Sequence, residues 1–146
     1  GSLSGNVAYT HGRYGTYRTA PTARNLKDLQ MQFAPDWTGS VSFDQRFELA
    51  GGAHIDARVS TYFSSSYWGT FDHSGNARQS SFTKSDASIT WYLSGDKFYL
   101  GAWIKNIENE PVGTSISALA TARPPYTAAV FLEPPRTYGL KVGFQF

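Results

Sequence analysis

The feature that most constrains this chain is a strict apolar–polar alternation that recurs in separate runs and almost never yields to a helical period. In "TYGLKVGFQF" (Thr137 to Phe146), Tyr138, Leu140, Val142, Phe144 and Phe146 alternate with Thr137, Gly139, Lys141, Gly143 and Gln145. A period of two places each set on its own face of a β-strand. "WTGSVSFDQRFEL" repeats the pattern: Trp37, Gly39, Val41, Phe43, Phe47 and Leu49 share one parity, broken only by Gln45. In "GAHIDARVSTYF", Ala53, Ile55, Ala57, Val59, Thr61 and Phe63 oppose His54, Asp56, Arg58, Ser60 and Tyr62. "DASITWYL" sets Ala87, Ile89, Trp91 and Leu93 against Ser88, Thr90 and Tyr92. "KFYLGAWIKN" sets Phe98, Leu100, Ala102 and Ile104 on one side, and the opening "LSGNVAYT" contributes Leu3, Val7 and Tyr9. The pattern predicts an all-β chain of about six antiparallel strands.

The connections carry a second constraint. "AGG" (Ala50 to Gly52) and "SGDK" (Ser94 to Lys97) are turns, whereas His11 to Asp36, Ser64 to Gln79 and Ile107 to Arg136 are long. Long and short connections therefore alternate, and loops of this length are uncommon in compact soluble domains. Strands of about ten residues, with short turns at one rim and long loops at the other, describe a transmembrane β-barrel. One strand face must then be apolar for lipid, and the other is free to be polar. Tyr9, Trp37, Phe63, Trp91 and Phe98 fall near strand ends on the apolar parity, where an interfacial aromatic girdle would stand. The short turns are expected on the periplasmic side and the long loops outside.

Composition agrees with an outer surface that meets something other than water. Charged residues make up 16%, against about a quarter in typical chains, and aromatic residues also make up 16%. The formal net charge of +2 and the lack of a basic run give no case for nucleic acid. With no cysteine there is no disulfide framework and no thiol chemistry. No stretch is long and apolar enough for a transmembrane helix, and "GSLSGNVAYT" has no signal-peptide character.

Four stretches resemble, in order, the C-terminal part of the barrel of TonB-dependent outer-membrane receptors. "PPRTYGLKVGFQF" is similar to the family's closing strand, with its Pro-Arg-aromatic-Gly approach and terminal aromatic. "AWIKNIENEPV" (Ala102 to Val112) resembles the penultimate strand running into a V-x-N-(I/L)-x-(D/N) segment. "APDWTGSVSFDQRFEL" (Ala34 to Leu49) resembles the AP-x-W strand opening, and "LSGNVAYTHGRYGTY" (Leu3 to Tyr17) the strand and loop before it. The resemblance implies a bacterial outer-membrane location in a Gram-negative cell. Residues 1–146 would be the last strands of a barrel of about 22 strands, whose N-terminal strands and plug lie outside this sequence. It implies uptake of a scarce ligand, of the siderophore, cobalamin or glycan class. The implied partners are outer-membrane lipid, the remaining strands and plug, the TonB complex acting through that plug, and the barrel-assembly machinery. Tyr138, Leu140, Val142, Phe144 and Phe146 would be the signal that this machinery reads on the last strand.

Chemistry has few footholds. His11, His54 and His73 lack metal-ligand spacing, and no nucleophile elbow or phosphate loop occurs. No metal, cofactor or catalytic residue is therefore expected, and the chain is read as a non-enzyme. Asp44 with Arg46, and Asp56 with Arg58, are expected to neutralise one another as i, i+2 neighbours in a polar lumen. Ligand contact is expected from loop residues Tyr67, Trp68, Phe71, His73 and Tyr126, since aromatic and polar side chains at loop tips suit capture. Two rival readings remain: a small complete outer-membrane barrel with a structural or adhesive role, with extra strands at "TYRTA" and "YTAAVFL", and a soluble lipocalin-like binder with its apolar parity inward.

Overall fold

The computed structural model describes residues 1–18, 20–73, 77–119 and 127–144. Among the described residues ten strands follow one another: β1 (Ser2–Tyr9), β2 (Trp37–Glu48), β3 (His54–Ser64), β4 (Tyr67–Trp68), β5 (Arg78–Gln79), β6 (Phe82–Tyr92), β7 (Phe98–Lys105), β8 (Gly113–Leu119), β9 (Thr127–Leu132) and β10 (Thr137–Phe144). Six of them form one antiparallel sheet in the order β1-β2-β3-β6-β7-β10. These are the six alternating runs, with β6 beginning at Phe82, earlier than its clean alternation suggests. The sheet is open, with β1 and β10 as its edges, and it does not close into a barrel. The remaining strands pair as two small hairpins, β4 with β5 and β8 with β9, inside two of the long connections. "YTAAVFL" thus does supply a strand, but one that stays outside the main sheet.

The two short connections are single tight turns at the same rim. Ala50–Gly52 uses Gly51 and Gly52 at φ 78° and 79°, and Ser94–Asp96 uses Gly95 at 79° and Asp96 at 57°. Glycine reaches this left-handed region without the Cβ clash that penalises other residues. The backbone bonds from Leu49 N to Ala53 O and from Leu93 N to Phe98 O, at 2.9 and 3.0 Å, close the two turns.

The register fixes which residues share a face. Leu3 lies opposite Phe43, Phe43 opposite Val59, and Val59 opposite Ala87. Ile55 lies opposite Trp91, Trp91 opposite Leu100, and Leu100 opposite Val142. One continuous apolar face therefore crosses all six strands, and its large side chains are exposed, up to 80% for Leu140. This amounts to on the order of 1,000 Å² of apolar surface, against the few hundred a soluble monomer usually shows in one patch. Tyr9, Trp37, Phe63 and Tyr138 mark this face at the loop rim, with the rings of Tyr9 and Trp37 in tilted contact at 4.7 Å. Phe47, Trp91, Phe98 and Phe144 mark it at the turn rim. Trp37 and Phe47 stand about 33 Å apart along the strand, or about 25 Å across a layer at roughly 40° tilt, the height of an outer-membrane apolar band.

The buried hydrophobic residues lie elsewhere. Among the described residues they are Leu26, Tyr67, Ala77, Val112 and Ile116, all in the long connections. The loops form a packed cap with its own small core, while the sheet has no apolar core on either face.

Candidate functional site

The opposite face of the sheet is polar and is organised in two zones. Near the turn rim, charges pair across strands. Arg46 donates two hydrogen bonds to Asp56, at 2.6 and 2.7 Å, and Arg58 approaches Asp44 at 3.4 Å. The expected i, i+2 pairing is not what forms. In the observed register Asp44 sits opposite Arg58 and Arg46 opposite Asp56, and directly opposed Cβ atoms lie about 5 Å apart. Same-strand neighbours two residues apart are separated by about 6.6 Å of rise. His54 is buried here, stacked on Tyr92 at 4.7 Å, with Asp56 and Asp96 at 3.8 and 3.6 Å from its ring nitrogens.

Next to the last pair, β7 and β10 interlock. The ring of Tyr99 covers Gly143, the ring of Trp103 covers Gly139, and the Lys141 stem covers Gly101. A Cβ at any of these glycines would collide with the side chain lying over it, so the glycines of "YGLKVGF" and "YLGAW" are sockets for their cross-strand partners.

Near the loop rim the polar face and the cap enclose an open concavity of about 760 Å³, within the usual range for ligand pockets. Its floor is hydroxyl-rich, with Ser40, Ser42 and Ser60. Tyr62 and Phe82 form an aromatic pair at 6.0 Å on its wall. Arg58, Lys84, Lys105, Asp86 and Glu133 supply charge, and Phe33, Tyr67, Val112 and Pro134 close it from the cap. Lys84 pairs with Glu133, which follows β9 and so ties the cap to the sheet.

The cap is held by a small set of polar anchors. Asn106 has φ 53° and is almost fully buried. Its backbone N–H donates to Asp86 at 2.9 Å; its side chain donates to the Glu110 carbonyl at 3.0 Å and accepts from Glu110 N at 2.9 Å. Glu108 accepts from the Ser85 amide at 2.7 Å, and hydrogen bonding from Ser85, its side chain first and then this amide, holds the Glu108 carboxyl below the usual carboxylate range. Asn109 accepts from Arg136 N at 2.9 Å, just before β10. The "NIENE" segment therefore acts as a clasp joining β6, β7 and the start of β10. At the other end, Arg13 grips Asp36 with two bonds of 2.8 and 2.9 Å, which pulls Asp36 below its ordinary value.

The loop residues expected to meet a ligand are largely occupied with one another. Tyr67 is buried, 5.8 Å from Phe33, and donates to Gly113 O at 3.4 Å; burial pushes its phenol up. Among the described residues of that set it alone lines the concavity. Trp68 stacks face to face on His73 at 4.5 Å, and His73 Nε2 bonds the Gln30 carbonyl at 2.7 Å. His73 is thus a loop-to-loop strut. Phe71 is exposed on the cap, and Tyr126 lies outside the described residues. Tyr138, Leu140, Val142 and Phe144 are exposed on the apolar face of edge strand β10; Phe146 lies outside the described residues.

Sequence reasoning missed the sheet side of the concavity: Tyr62, Phe82, Lys84 and Lys105 on strands, and Asn106 just after β7. A signal for two of these was present. Tyr62 and Phe82 are large aromatics on an otherwise polar parity, and only the register shows that they meet. Among the described residues no group of His, Asp and Glu is arranged to hold a metal. Comparison with family models, with curated proteins and with solved structures finds no match to this chain.

Proposed function

We propose that this chain is part of an outer-membrane β-barrel whose apolar sheet face meets lipid. Within that class, the reading is the C-terminal barrel segment of a TonB-dependent receptor that takes up a scarce ligand. The single observation that carries the class is the continuous exposed apolar face, bounded by aromatic residues at both rims, on a sheet whose opposite face is polar and charged. In water such a surface would aggregate; in a bilayer it is the stable arrangement. One-sided long loops packed into a cap agree with it. The receptor identity rests on the four stretches of family-like sequence and on the open β1 and β10 edges, which further strands would pair.

The test is made on the native membrane. The polypeptide that carries this sequence is identified by its peptides in the outer-membrane fraction. Its mass is then measured, and its gel migration compared with and without boiling. A heat-modifiable species of several hundred residues is expected. A species of about 16 kDa that remains monodisperse without detergent would overturn both the receptor reading and the membrane reading. One of that mass that needs detergent would leave the membrane class standing and remove the receptor.

A further inference from the structure

Resting on the uptake reading above, we infer that the cargo is a neutral, hydroxyl-rich ligand of the saccharide class, recognised on the polar sheet face beneath the cap. The first observation is charge balance. Arg58, Lys84 and Lys105 face the concavity; Arg58 lies beside Asp44, Lys84 pairs with Glu133, Lys105 lies over the Trp103 ring at 6.0 Å, and Asp86 adds a third carboxylate to the lining. A strongly anionic cargo, such as a carboxylate-rich metal chelate, calls for a cluster of uncompensated cations, which this wall lacks among the described residues. Ion pairs already formed still present spare N–H donors and carboxylate lone pairs, and such bidentate groups suit vicinal hydroxyls.

The second observation is the aromatic pair. Tyr62 is 41% exposed although it lies on the polar parity, and Phe82 backs it at 6.0 Å. Neither ring is needed to fill a core there. A ring face turned to a polar, serine-floored concavity is a platform for the C–H face of a pyranose, whose axial hydrogens meet the negative π face. The same platform next to hydroxyls and charge pairs matches a ligand with one apolar face and a polar rim. The loop residues Trp68 and His73 face each other and contribute nothing to this surface.

The experiment uses the full-length receptor in detergent, applied to an array of neutral oligosaccharides together with uronate-containing and sulfated ones. The best-retained glycan is then titrated by calorimetry at low and high salt. Expected is retention of a neutral glycan, with affinity changing less than about 2-fold between about 0.05 and 0.5 M salt, since no counterion is released. Tyr62→Ala should weaken it at least 10-fold, whereas Tyr62→Phe should keep it within about 3-fold. Retention of acidic glycans only, retention of none, or equal binding by Tyr62→Ala would each overturn the inference. Heat-modifiable migration, recorded on the same samples, reports separately on the barrel reading and on folding of each variant.

Discussion

The sheet and the cap obey opposite rules. In the cap, Leu26, Tyr67, Val112 and Ile116 are buried and polar side chains reach outward or tie loops together, as in a soluble domain. In the sheet, the apolar face is exposed and the polar face carries the ion pairs and the buried His54. One chain thus contains two opposite patternings, and the boundary runs along the line of Tyr9, Trp37, Phe63 and Tyr138. The difference teaches that hydrophobicity alone does not locate a core; what matters is which face the register turns toward which medium.

The largest effect is expected where the comparison is sharpest. Val41 stands midway along β2 on the apolar face, opposite Gly5 and Thr61. Arginine at the bilayer midplane of a barrel costs about 2–4 kcal/mol, whereas on a surface facing water the same change stays within about 0.5 kcal/mol. Val41→Arg in the full-length protein should therefore lower the midpoint of urea unfolding in lipid vesicles strongly. A variant with wild-type stability would mean that this face does not meet lipid.

The complementary break lies in the cap. Leu26 is 3% exposed, and its backbone N–H bonds Tyr17 O at 2.9 Å. Leu26→Ala should cost about 2–3 kcal/mol of local stability, the lower part of the range for buried leucine. Hydrogen exchange should rise across residues 12–31 and stay unchanged in β2 and β3, because the two regions have separate packing. Equal loosening of the strands would show that the cap and sheet form one cooperative unit.

These two regions also differ in how much the sequence discloses. The strands were legible because each keeps one apolar and one polar face, so every second residue repeats the same choice. Leu3, Val41, Val59 and Leu140 could be assigned to one face without knowing any contact. The cap core was not legible, because Leu26, Tyr67, Val112 and Ile116 come from three different loops at no shared period. The same limit explains the charge pairs. Residue types announced that Asp44, Arg46, Asp56 and Arg58 would neutralise one another, but only the β2–β3 register decides who meets whom. Asn106 shows the limit for a motif: "KNIENE" was recognisable as a family-like segment, while its work as a clasp depends on Asp86 of β6 and on the stretch before β10. The concavity combines both cases, since Tyr62 and Phe82 are each visible as misfits on their strands while their meeting is not.

A smaller effect tests the rim away from the cap. Gly95 sits at φ 79° with open space where a Cβ would be. Gly95→Ala meets no neighbour, so the cost is backbone strain alone, about 1 kcal/mol. Unfolding midpoints of this variant and of Gly51→Ala, at φ 78° and equally unobstructed, should shift by the same small amount. A large shift in either one would mean that the turn contacts something more, such as a plug.

The smallest effect concerns the joint where the cap meets the sheet. Arg13 and Asp36 are partly exposed, and pairs of this kind contribute about 0.2–1 kcal/mol. The hydrogen bond from Arg13 lowers the Asp36 carboxyl below its ordinary value. Its stabilisation is therefore complete above the unfolded carboxyl range, about pH 3.9, and disappears as pH falls through the lower folded value. Hydrogen exchange at the Thr10 and Tyr14 amides, corrected for the intrinsic rate, should stay flat from pH 7 to about 4 and rise below it. In Asp36→Asn the protection should be slightly lower than wild type at neutral pH, converge with it in acid, and show no acid-dependent rise. Should the rise persist in that variant, the acid-sensitive joint is instead the Glu108 bond to Ser85, whose carboxyl is lowered in the same sense. Glu108→Gln would then remove it, moving the pH-dependent seam between cap and sheet from the β1–β2 loop to the clasp at Asn106.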